Sequence, residues 1–394
     1  GVGGTNSTFG AFRLVRDAIH ETCLKRFRFD EKLAIRKDKS TCHLPLRVNF
    51  GGGWSDTPPY CNENGGTVLN AALRVGGRLP VEAKIERIPE RKLVFASGDS
   101  GAYGEFTDLR KALDCANPFD PFALHKATLM ATGILPTEGD QTLSTLLERL
   151  GGGFKLSTQV KGIPRGSGLG TSSILAGACV TAFCDFFGIE MPLMDQIGRV
   201  LCAEQLMSTG GGWQDQAGGM IPGIKLLTSA PGAWQDLSVR QLLIPPKTMT
   251  ALEARFCLIY TGQRRLARGL LREVMGRYLA GDPEAVSILA AIQALAKDMA
   301  RALETGDLNG FARMLSQHWE LSKRLDAGGT NTCIDCIFVA VDDLMDGKMI
   351  CGAGGGGYLQ GIMKEGVTLE ALNHRLSDAF PGTGVAAWNG NFDL

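Results

Sequence analysis

No apolar run among the 394 residues approaches the roughly 18 needed to cross a bilayer, and no secretory leader pattern opens the chain. A membrane partner is not expected. Net charge is missing too: 41 Lys plus Arg balance 41 Asp plus Glu, so no global field recruits nucleic acid or an acidic surface. A small-molecule partner is favoured. The 11 cysteines form no framework of spacings and are odd in number, which reads as reduced thiols in a cytoplasmic protein. Cys333 and Cys336 are the one close pair, and the second pair that a zinc site needs is absent. In CIDCIFVAVDDL their i, i+3 spacing on a helix explains them more simply. Internal repeats and low-complexity tracts are also lacking. What is abundant is glycine, 52 residues gathered into a few clusters, and chemistry is sought there.

The length allows two domains. The chain opens GVGGTNSTFG without Met, so its first residues read either as an expression scar or as a cut from a longer polypeptide. After an amphipathic piece, FGAFRLVRDAIHETCLKRF, alternating patterns in PLRVNF, TVLNAALRV, LPVEAKIERI and KLVFAS predict an early antiparallel sheet. The strand FKLSTQVKGI, the helix TSSILAGACVTAFCDFF ended by Gly188, and a helix from Pro192 to about Ser208 follow. Prolines 231, 245 and 246 mark an approximate domain boundary, and strands ARFCLIYTG, YLQGIMK and GTGVAAW lie beyond it among several helices. Strands and helices mix without βαβ alternation, so the fold class is α+β. The expected division is an extension over 1–40, a first domain over 41–235 and a second over 236–394.

IPRGSGLGTSSILAGACV joins a strand to a helix through Gly166, Gly168 and Gly170. Glycines let backbone N–H groups approach an anion, and the helix N-terminus adds free donors and its dipole. A phosphate site is expected over Gly166, Ser167, Gly168, Leu169, Gly170, Thr171, Ser172 and Ser173. The Walker A lysine is absent, and Thr171 falls where G-x-G-x-x-G needs its last glycine. CGAGGGGY, from Cys351, satisfies G-x-G-x-x-G literally but precedes a strand outside any βαβ unit. Close approach to a ligand or to another loop is the better account of it.

Together these pieces resemble the GHMP small-molecule kinases: LRVNFGGGWSD their first motif, IPRGSGLGTSS their central P-x-x-x-G-L-G-S-S, CGAGGGGYLQ their third, in family order. GGWSDTPPY at Gly52 and EQLMSTGGGWQDQAGG at Glu204 are similar to the L-fucokinase branch. The resemblance implies a two-domain fold, with a first domain like ribosomal protein S5 domain 2 and a ferredoxin-like second. It implies ATP and Mg²⁺ as cofactors, and transfer of phosphate to the anomeric hydroxyl of L-fucose. A fused or separate pyrophosphorylase domain in the full-length protein is the implied partner.

Carried over by position, Ser172 and Glu204 hold the metal, with Thr171 and Ser173 beside the phosphates. Asp215, eleven residues after Glu204, is the candidate base. Arg47 stabilises transferred charge and Asp56 accepts bonds from sugar hydroxyls. Trp54, Trp213, Gly354 and Gly355 are the remaining expected sugar contacts. Galactokinases carry Glu-His where this chain has Gly53 and Trp54, so the sugar contacts differ. Each residue also has a plainer account: Glu204 as a solvated helix face, Ser172 as a cap, Arg47 with Asp56 as an ion pair. Two other readings stand beside the first, a kinase for a heptose or heptose phosphate and a sugar and ATP sensor without turnover. Adenine contacts are expected within Lys92 to Pro136.

Overall fold

The computed structural model describes residues 2–26, 32–117, 119–137, 139–164, 166–264 and 270–394. Helix α1 (Val2–Arg26) precedes strands β1 (Lys39–Leu44) and β2 (Leu46–Gly51), helix α2 (Tyr60–Asn64), and strands β3 (Thr67–Arg74), β4 (Val81–Ile88), β5 (Leu93–Ser97) and β6 (Ala102–Phe106). Helices α3 (Leu109–Leu113), α4 (Ala123–Thr132) and α5 (Leu143–Leu150) lead to β7 (Gly153–Val160). Then come α6 (Thr171–Phe187), α7 (Leu193–Leu206), α8 (Gln214–Met220), β8 (Ile224–Ser229) and β9 (Leu237–Gln241). The remainder is α9 (Pro246–Arg255), β10 (Phe256–Tyr260), α10 (Leu270–Leu279), α11 (Pro283–Glu304), α12 (Leu308–Leu325), α13 (Thr332–Val341), β11 (Met345–Ile350), β12 (Tyr358–Met363), α14 (Leu369–Ala379), β13 (Ala386–Asn389) and β14 (Asn391–Phe392).

The early strands do not form one antiparallel sheet. β4 and β5 join the order β1-β4-β7-β5-β6, whereas β2 and β3 belong with β8, β9 and β14. Within the first of these sheets β5 runs parallel to β7, pairing Leu93 with Phe154. Alternation identifies a strand but not its neighbour. The third sheet has the order β11-β12-β10-β13. The boundary expected at residue 236 falls inside a sheet, because β9 pairs along its length with β8, Ser229 opposite Leu237. At the other end of the chain β14 returns to pair with β3, Phe392 opposite Leu73.

Helix α6 is apolar around most of its circumference, as a helix buried on all sides must be, and it packs on β1, β4, α4, α7 and α8. Phe183, Phe186 and Phe187 set their edges against Phe154 of β7. Gly188 adopts the left-handed conformation at its end, and Ile189 N–H closes onto the Cys184 carbonyl at 2.8 Å. So enclosed, the helix holds the loop before its first turn on a rigid base. On α11, Ile288, Ile292, Ala296, Met299 and Leu303 form a buried stripe at helical spacing. That stripe packs on α12 and β3, which brings α12 alongside the end of β2.

Candidate functional site

Residues 166–170 turn through alternate left-handed glycines, with φ of +72°, +76° and +75° at Gly166, Gly168 and Gly170. Side chains are barred there by contact as well: a Cβ on Gly168 would lie 2.3 Å from the Cys351 carbonyl oxygen. Carbonyls of this loop are spent on the protein. Ser167 O accepts from Tyr358 N–H at 2.8 Å and Leu169 O from Arg47 N–H at 3.1 Å. No side chain caps α6, so its first-turn amides at Thr171 and Ser172 remain for an anion. Gly166, Ser167, Gly168 and Gly170 to Ser173 all line one cavity of about 630 Å³. Leu169 is a correction: its side chain is buried in the main core and its N–H is already bonded to Ser167 Oγ at 3.2 Å. Arg165 of the motif lies outside the described residues.

Arg47 extends from β2 beneath this loop. Its Nε donates to Asp215 Oδ1 at 2.9 Å and its Nη1 to the Gly168 carbonyl at 2.9 Å. The ion pair is therefore with Asp215 and not with Asp56. The arginine is almost fully buried, while Asp215 keeps 30% of its side chain exposed to the cavity. Asp215 stands in the first turn of α8. Two glycines, Gly218 and Gly219, lie inside that helix because they must: Cβ atoms there would meet Arg47 at 2.7 Å and Ile174 at 2.6 Å. The far end of α8 is held by Lys225, whose amine is buried, donates to the Gly218 carbonyl at 2.7 Å, and is pushed down to about 7 by burial.

Glu204 is buried at the end of α7. It accepts from Ser173 Oγ at 2.7 Å and, more closely, from Thr209 Oγ1. Burial first, and the Asp215 charge in addition, hold its carboxyl above the usual range against those two bonds. The structure thus joins Glu204 to Ser173, whereas Ser172 is exposed one position earlier on the cavity wall. Carboxylate and hydroxyl oxygens suit Mg²⁺, which takes one or two carboxylates and finds its other ligands in phosphates and water. Among the described residues no three His, Cys, Asp or Glu side chains converge, consistent with an ion completed by a nucleotide.

Asp56 lines the cavity but is itself buried, and both carboxylate oxygens are engaged by Gln214: the backbone N–H at 3.0 Å and Nε2 at 3.1 Å. Burial chiefly, with Asp215 contributing, pushes its carboxyl up to about 6. It caps the start of α8 and fixes where Asp215 begins. Trp54 touches the cavity, yet most of its ring packs with Tyr60, Val274, Met275 and Ile288. Three expected sugar contacts are corrected. Trp213 is 1% exposed, packs with Cys61, Val68 and Ile197, and donates Nε1–H to Gln235 at 3.3 Å. Gly354 and Gly355 lie against the Ala327–Gly329 turn, Gly355 N–H donating to Gly329 O at 2.9 Å, so their close approach is to another loop. Nearby, Asn331 Oδ1 caps α13 through Ile334 N–H at 3.0 Å, which gives the GGTNT segment a structural task. Cys333 and Cys336 sit on that same helix, half-buried and exposed.

Sequence reasoning missed one wall altogether. α12 contributes His318, Trp319 and Ser322 to the cavity, and Asp326 follows just past its end. His318 and Ser322 recur at i and i+4 on the face that also buries Phe311 and Leu315. That polar stripe within an apolar face was the available signal. The segment Lys92 to Pro136 contributes nothing to this cavity among its described residues.

Residues 140–222 match the GHMP kinases N terminal domain. The chain is 35% identical over 377 residues to the L-fucokinase/L-fucose-1-P guanylyltransferase of Bacteroides fragilis, covering 94% of this chain and 39% of that protein. It is 36% identical over 344 residues to the bifunctional fucokinase/GDP-fucose pyrophosphorylase of Arabidopsis thaliana, covering 86% of this chain and 31% of that one. It therefore spans well under half the length of either relative. Among solved structures, Lactococcus lactis galactokinase complexed with galactose superposes with a TM-score of 0.68, at 14% identity over 91% of this chain and 94% of that one. The three glycine motifs meet around one cavity, residues 140–222 carry the GHMP kinases N terminal domain, and the chain has the two-domain α+β fold of the GHMP kinases.

Proposed function

We propose that the chain is an ATP-dependent sugar kinase that phosphorylates the anomeric hydroxyl of L-fucose, giving L-fucose 1-phosphate and ADP. One observation carries the reading: the exposed oxygen of Asp215 and the uncapped N-terminus of α6 face the same cavity, with Arg47 between them. Phosphoryl transfer asks the protein mainly for positioning and charge stabilisation. The amides at Gly170 to Ser172 bind phosphate oxygens, and Arg47 balances charge that develops on the transferred group. Asp215, oriented by two bonds from Arg47, receives the hydroxyl proton. Glu204 with Ser172 or Ser173 would hold Mg²⁺, which would supply charge neutralisation on the phosphates. The likeness of the chain to the fucokinase part of two bifunctional proteins supports fucose as the acceptor. A pyrophosphorylase domain elsewhere in the full-length protein would consume the product.

A phosphorylated heptose is disfavoured by the charge inventory, since Arg47 is the one Lys or Arg among the described residues of the cavity wall. A sensor without turnover is disfavoured by the retention of Arg47, Glu204 and Asp215 in bonded positions. ADP release measured across L-fucose, D-arabinose, galactose and heptose phosphates tests all three. Turnover with L-fucose is expected; turnover with no sugar overturns the enzyme, and turnover with a phosphorylated heptose alone overturns the substrate.

A further inference from the structure

We propose that His318 is a positioning residue for the acceptor sugar, holding the Gly51–Trp54 turn from the opposite wall of the cavity. The inference rests on the kinase reading above but not on which sugar is used. His318 is buried, and its Nε2 accepts the Gly52 N–H at 2.9 Å across 266 residues of sequence. An amide can only donate, so Nε2 carries no proton, and Nδ1–H donates to Ser322 Oγ at 3.2 Å. The ring is thereby fixed as one neutral tautomer with both nitrogens occupied.

The turn it grips is one that local sequence holds poorly. Trp54 has φ of +81°, a left-handed conformation unfavourable for a bulky side chain. Gly52, at φ +88°, has no room for a Cβ, which would lie 1.9 Å from the Thr67 carbonyl oxygen. Inside the turn, Ser55 Oγ bonds the Gly52 carbonyl at 2.7 Å and the Thr67 carbonyl at 3.0 Å. The Gly52 amide is left for the histidine. Trp54 and Asp56 leave this turn toward the cavity, so a slack turn misplaces the sugar wall while the phosphate loop, built on α6, stays as it was.

The test compares His318→Gln, whose Oε1 offers an acceptor near the Nε2 position, with His318→Leu, which offers none. Steady-state ADP release is measured with both substrates varied, using whichever sugar the wild type accepts, beside hydrogen exchange at Gly52. His318→Leu is expected to raise the sugar KM roughly tenfold, leave the ATP KM within about twofold and speed exchange at Gly52, while His318→Gln restores most of each. Sugar and ATP KM rising together, Gln as impaired as Leu, or unchanged exchange in the Leu variant overturns the proposal. Should the Leu variant fail to fold, Ser322→Ala removes the partner of Nδ1 along with one hydroxyl of the cavity wall; faster exchange at Gly52 with a smaller rise in sugar KM supports the tether, and unchanged exchange overturns it. Absence of turnover in the wild type overturns the kinase reading alone, because exchange at Gly52 still decides the tether.

Discussion

Gly212→Ala isolates the demand that Asp56 places on the loop before α8. Gly212 has no left-handed φ, so the backbone itself accepts alanine. Space does not: the new Cβ would lie 2.1 Å from Asp56 Oδ2 and 2.5 Å from the Asp56 carbonyl oxygen. Rotation of the carboxylate relieves the first contact only, and it breaks a bond to Gln214 as it does so. Overpacking of this kind costs about 1–3 kcal/mol and a lost bond to a charged group about 1.5–3, so a loss of about 3–5 kcal/mol is expected. Asp215 follows Gln214 directly, and a displacement of about 1 Å there is expected to lower kcat by about 10²-fold. Gly210→Ala is the control, since no atom lies within 4 Å of its Cβ and only its φ of +70° opposes the change. That strain costs about 1–2 kcal/mol. Denaturant midpoints and ADP release for the two variants check the argument. Gly212→Ala matching Gly210→Ala in stability, with kcat intact, would refute it.

Three further outcomes are expected. Asp215→Asn should lower kcat by about 10²- to 10⁴-fold while ATP affinity, measured by calorimetry, changes little; equal losses would make Asp215 structural. Asp56 ionises near 6 in the fold against an ordinary value of 3.8, so it opposes folding above pH 6 and ceases to do so below 3.8. Asp56→Asn should therefore gain up to about 3 kcal/mol in urea unfolding at pH 8, with no gain at pH 3.5. His318 behaves in the opposite sense: burial lowers it from 6.5 to about 4, so its stabilising share is complete above pH 6.5 and disappears as pH falls through 4. Up to about 3 kcal/mol should be lost over that window in the wild type and retained in His318→Gln, as read from unfolding curves between pH 4 and 7.

Features written within one short stretch were legible. The central loop and its glycines depend on residues close in sequence, where spacing constrains geometry, whereas the step from Glu204 to Asp215 came from the resemblance to the GHMP kinases. Glycine rows were ambiguous because a bare backbone permits approach by a ligand and by another loop equally; Gly354 and Gly355 meet Gly329. Trp213 illustrates the same limit, since an aromatic beside an acid fits a pocket wall and a core alike. The wall from α12 required knowing which helix faces β2, and that depends on how α11 and α12 pack. Strand partners were invisible for a related reason. A half-buried pattern such as that of β4 fixes the inward face and leaves the neighbour open.

The return of the chain to the sheet of β3 bears on how the protein can be dissected. Asp393 donates its N–H to Ala72 O and accepts from Gly223 N–H, and its carboxylate pairs with Arg74. A fragment ending after β9 would leave the Leu73–Arg74 end of β3 unpaired beyond β8, an invitation to pair with another chain. Expression of the phosphate-binding half alone therefore calls for the tail to be supplied, in trans or by circular permutation, before any loss of activity is blamed on the missing half.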